Sequence, residues 1–76
     1  MNYDISGQEG NAFWIMGAVR AWCKQLEKDP KPIIDRMMEE DYNNLLRVVK
    51  DEFGGMVNFV SPHELNGVDP ELYEII

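Results

Sequence analysis

Cysteine and histidine are nearly missing from this chain, which carries one of each, Cys23 and His63, in 76 residues. A lone cysteine excludes an internal disulfide, and a domain this small without staples is expected inside the cell. The pair shows no metal-ligand spacing, so no metal and no cofactor are expected. Long apolar runs are also missing. The longest, Ala12–Val19, is broken by Gly17 and far shorter than the ~20 residues that cross a bilayer. Met1-Asn2-Tyr3-Asp4 has neither a basic region nor an apolar run, so no signal peptide is expected. Basic residues stop at Lys50, and Asp51–Ile76 holds six acids and no Lys or Arg. With a formal net charge of −7, direct nucleic-acid binding and docking on an acidic membrane are both disfavoured. The expected location is the cytoplasm of a host cell, and the expected partners are proteins with basic or apolar surfaces.

What is present suffices for one small core. Hydrophobic residues make up 45% of the chain and aromatics 11%, too many for a disordered segment. "MNYDI" reads as a short strand before the turn residues Ser6-Gly7. Asn11 is a good N-cap, and Ile15, Met16, Val19, Trp22, Cys23 and Leu26 follow at helical spacing, which predicts a central helix ending near Lys28. "DPKPIIDRMMEED" predicts a shorter helix, capped by Asp29 and lined by Ile33, Ile34, Met37 and Met38. "DYNNLLRVVKDEFGG" predicts a third, capped by Asp41, with Tyr42, Leu45, Leu46, Val49 and Phe53 on one face. Its Gly54-Gly55 pair suits a left-handed C-cap. "MVNFV" reads as a second strand.

Two lone strands at opposite ends of a domain are most economically paired with each other. The expected fold class is therefore α+β and mainly helical: three helices packed on a short two-stranded antiparallel sheet. Residues 1–60 form the compact domain. Residues 61–76 form a C-terminal tail of one or two short helical turns, because Ser61-Pro62-His63-Glu64 and Asp69-Pro70-Glu71-Leu72 both place proline after a cap.

Chemistry has little to work with. "SGQEGNAFWIMG" approaches a helix start through glycines, as a phosphate loop does. It lacks G-x-G-x-x-G and any following Lys-Ser or Lys-Thr, and Glu9 would repel an anion. A capped core helix explains it, although a small ligand at the Gly7–Asn11 loop stays open. Cys23 lies in an apolar stripe and reads as a core thiol. Glu39-Glu40-Asp41 reads as a capped helix start rather than a cation site. No catalytic set emerges, and the chain is expected not to be an enzyme. Trp14 is a candidate anchor. In the tail, Leu72, Tyr73, Ile75 and Ile76 are too apolar for a solvated end, and Asp69, Glu71 and Glu74 would meet a basic rim. These eight residues form the expected partner-binding set.

The pattern "DISGQEGNAFWIMGAV…DYNNLLRVV" resembles a group of small uncharacterised acidic proteins of phage and prophage-type genomes. It covers roughly residues 3–60, and the tail departs from it. The resemblance implies a protein that binds and inhibits or modulates a host protein. Two alternatives stay open beside it: a DNA mimic that blocks a nucleic-acid-binding site, and the small-ligand or nucleotide binder already named. A homodimer is compatible with each.

Overall fold

The computed structural model describes all residues, Met1–Ile76. Strand β1 spans Asn2–Asp4. Helices α1 (Ala12–Gln25), α2 (Lys31–Met37) and α3 (Tyr42–Phe53) follow, then β2 (Asn58–Ser61) and β3 (Glu74–Ile75). Single 3-10 turns at Gln8–Gly10 and Pro70–Leu72 link the elements. The sheet has three strands in the order β1-β2-β3, and both pairings are parallel.

The fold class is therefore α/β, not the expected α+β, and the expectation fails in two respects. The sheet is three-stranded and parallel, not two-stranded and antiparallel, and the chain ends in a strand rather than a helical tail. The chain leaves α3 at the end of the sheet where β1 starts, where the Met1 amino group donates to Met56 O, so β2 runs the same way as β1. The start of β2 accordingly meets the start of β1: Asn58 N–H donates to Met1 O at 2.9 Å. Segment 62–73 then supplies about the dozen residues that a further parallel crossover needs.

The helix starts follow the sequence. Asn11 Oδ1 accepts from Phe13 N (2.8 Å) and Trp14 N (3.2 Å), and Asp41 Oδ1 accepts from Asn44 N at 3.0 Å. Asp29 acts one residue outside α2, accepting from Lys31 N at 3.0 Å, and Pro30 holds the cap position itself. The helix ends do not follow it. Gly54 is right-handed (φ −58°), not left-handed. Glycine is needed there because a Cβ would lie 2.5 Å from Lys50 O. The left-handed end belongs instead to α1, at Glu27 (φ 55°). There Lys28 N reaches back to Cys23 O at 2.8 Å, which closes the helix in a Schellman bond.

Leu45, Leu46, Val49 and Phe53 share one core cluster with Met16, Val19 and Trp22, as the two stripes predict. Tyr3 of β1 lies between Trp14 and Trp22, with ring centroids 5.7 and 5.6 Å away, and Trp22 meets Phe53 at 5.3 Å. The tail is part of this body. Leu72 and Tyr73 are buried in the same cluster, and Tyr73 OH accepts from Leu65 N at 2.9 Å. Ile76 N donates to Ser61 O at 2.9 Å. No helix is long and apolar enough to cross a membrane.

Candidate interaction surface

The two outer edges of the sheet differ, and the difference arises from single side chains. Ile5 N donates inward to Val60 O, so by strand alternation Asp4 N–H points outward. That outward group is occupied: Glu9 Oε1 accepts from Asp4 N at 3.1 Å. The 3-10 turn at Gln8–Gly10 brings Glu9 there, and Gly10 lets it do so. A Cβ on Gly10 would lie 1.9 Å from Ile5 O, so only glycine allows the turn to close against β1. Tyr42 OH donates to Gly10 O and fastens the turn to α3. The opening segment thus uses its own polar groups: Glu9 covers an edge, Gly10 allows close approach and Asn11 caps α1.

The β3 edge is open. Ile76 N faces β2, so Ile75 N–H points away from the sheet, where no further strand lies. Ile75 is 61% exposed and Ile76 73%. Glu71 and Glu74 are exposed beside them. A cleft of about 340 Å³ opens next to the strand, lined by Lys50, Asn58, Glu71, Tyr73 and Glu74 among others. Lys50 Nζ is held in it by Glu71 O at 2.6 Å.

The eight expected contact residues therefore separate. Leu72 and Tyr73 are core. Asp69 is structural: it caps the turn through Glu71 N (3.0 Å), pairs with Arg47 (3.4 Å) and receives its own N–H bond from Asn43. Trp14 is half-buried against Tyr3, remote in role from the tail. Glu71 and Glu74 line the cleft, and Ile75 and Ile76 follow them, exposed, at the end of the chain. The sequence reading missed Lys50 and Asn58, because nothing in a helix end or a strand start says which cleft it will line. It also missed Phe13, which is 81% exposed on α1. Its signal was present: Phe13 lies off the apolar stripe.

Chemically reactive groups stay apart from this surface. Burial pushes the Cys23 thiol up, so it is held protonated among core side chains. Ser61 is fully buried, and its hydroxyl is engaged with the His63 backbone. The Asp4 carboxyl is held low mainly by the Ser6 hydroxyl and amide, with a smaller contribution from His63. No group of acidic, histidine or cysteine side chains is arranged to hold a metal ion. Of the six acids in Asp51–Ile76, Asp51 and Glu52 pair with Arg36, and Asp69 with Arg47. Comparison with protein families, with curated proteins and with solved structures finds no match to this chain.

Proposed function

We propose that the protein is a binding protein that engages a host protein through its open β3 edge, and in doing so inhibits or modulates it. The observation that carries this reading is the difference between the sheet's edges: Glu9 occupies the outward Asp4 N–H on one, while Ile75 offers an outward N–H flanked by exposed isoleucine side chains at the other. An uncovered edge bearing exposed isoleucines is a template for strand addition. The partner suited to it presents an extended segment with apolar side chains for Ile75 and Ile76. It also presents basic residues for Glu71 and Glu74, whose carboxylates have no ion-pair partner in the chain. Main-chain bonds would supply affinity, and the two acids would orient the segment.

The test is capture from host extract by wild type and by two variants. Ile75→Pro removes the outward N–H together with the exposed Ile75 side chain, and touches no backbone donor that the Ile76–Ser61 bond uses. Glu71→Lys combined with Glu74→Lys reverses the rim. A partner held by wild type, lost with Ile75→Pro and weakened by the double reversal, is the expected result. A host partner that binds all three proteins equally would show that the edge is not the contact.

A further inference from the structure

We infer that α1 is the interface of a symmetric homodimer. The chain holds fourteen acids, yet none lies in α1. Its exposed positions are Phe13, Gly17, Arg20, Ala21, Lys24 and, at its last residue, Gln25. Every other basic side chain is engaged within the chain: Lys28 and Arg36 with Glu52, Lys31 with Asp35, Arg47 with Asp69, and Lys50 with Glu71 O. Arg20 and Lys24 alone have no partner. They stand on an apolar face of an otherwise strongly acidic molecule.

The complement to that face lies at its own N-terminal end. Ala12 and Met16 share a depression with Met38, Glu40 and Asp41 of the α2–α3 corner. Glu39 and Glu40 are exposed and have no cation. Met38 beside them is 65% exposed. Along one side of the molecule the order is thus cationic, apolar, anionic. A two-fold axis near Gly17 makes that order self-complementary, as an isologous contact requires. Two α1 helices crossing antiparallel there set Phe13 over Ala21 of the second copy. The same operation carries Lys24 past the start of the second α1, towards that copy's Glu39 and Glu40. Phe13 and Lys24 are eleven residues apart on one helix, roughly 16 Å, so the cationic end lies well away from the depression at the helix start.

Gly17 is consistent with this geometry. A Cβ there would meet nothing within 4 Å in the single chain, so nothing inside the fold calls for a glycine in mid-helix. The Lys31–Asp35 pair near the cationic end is internally neutral and leaves the charge pattern intact. This surface is separate from the β3 edge, and its test uses purified protein alone, so either reading can fail without the other.

The experiment is sedimentation equilibrium on the purified chain and four variants, with circular dichroism to confirm folding. Wild type is expected to be dimeric at high micromolar concentration, and more weakly so in high salt. Gly17→Leu and Phe13→Asp are expected to be folded monomers. Arg20→Glu with Lys24→Glu, and Glu39→Lys with Glu40→Lys, are each expected to be monomeric alone and to form a heterodimer when mixed. A wild type that stays monomeric overturns the inference. So does a dimer that survives Gly17→Leu, or a pair of charge-reversed variants that do not recombine.

Discussion

Cys23 shows how one position fixes its own chemistry. A thiol becomes a nucleophile by losing its proton, and burial opposes that loss. The folded protein at neutral pH is expected to react with iodoacetamide far more slowly than the protein in denaturant, where labelling should be complete. The same shift bears on stability. Because the folded thiol value lies above the unfolded one, folding favours the protonated form. The corresponding stabilisation is whole below the unfolded thiol value and is lost as pH rises through the folded one. Wild type should therefore lose stability with rising alkaline pH more steeply than Cys23→Ala, measured by denaturant midpoints across that window. Equal slopes would mean that the thiol is not desolvated.

At the scale of elements, the helix end that carries glycines and the one that carries none take each other's expected backbone conformation. Gly54 adopts an ordinary helical φ, and Glu27 adopts the left-handed one. A left-handed residue other than glycine carries about 1–2 kcal/mol of strain. Glycine at the same place removes the strain but adds freedom to the unfolded chain, which offsets about 0.4–1 kcal/mol. Glu27→Gly is thus expected to stabilise the protein by roughly 0.5–1 kcal/mol on the balance of these terms. Chemical denaturation would show it as a higher midpoint at unchanged slope, and a lower midpoint would mean that the Glu27 side chain contributes more than its backbone costs.

For the whole molecule, the deciding feature is that the last eight residues complete the core. Leu72 and Tyr73 are 4% and 7% exposed, and each contributes about 1.5–3 kcal/mol by burial. The total stability of so small a domain is on the order of 5 kcal/mol. Deleting residues 69–76 is therefore expected to abolish the cooperative thermal transition. Deleting Ile75 and Ile76 alone should leave it, since their side chains lie outside the core. A truncated chain lacking residues 69–76 that melts as wild type does would return the tail to the status of a separate contact element.

Much of this was legible without coordinates, and the divide has a physical basis. Interactions within a few residues are encoded locally. The Asn11 and Asp41 caps, the stripe of α3 and the stripe of α1 from Ile15 to Cys23 therefore appear in the sequence as they appear in the fold, while Leu26, expected in that stripe, is exposed beyond the helix end. The candidate edge was half legible: the acids and isoleucines of the tail were apparent, but not that Leu72 and Tyr73 turn inward while Ile75 turns out. Strand direction, by contrast, depends on which end of β1 the chain reaches when it leaves α3, and the three expected helices do not fix that by their number. The third strand exists only because Ser61 O is already in place to accept from Ile76 N. Glu9 shows the same limit, since its carboxylate covers an edge that exists only once β1 is paired. Composition and spacing determined an acidic, helix-rich domain with one core. Tertiary structure alone decided a parallel sheet with one edge partly covered by Glu9 and the other left open, because backbone groups far apart in sequence become partners only when the helices bring them together.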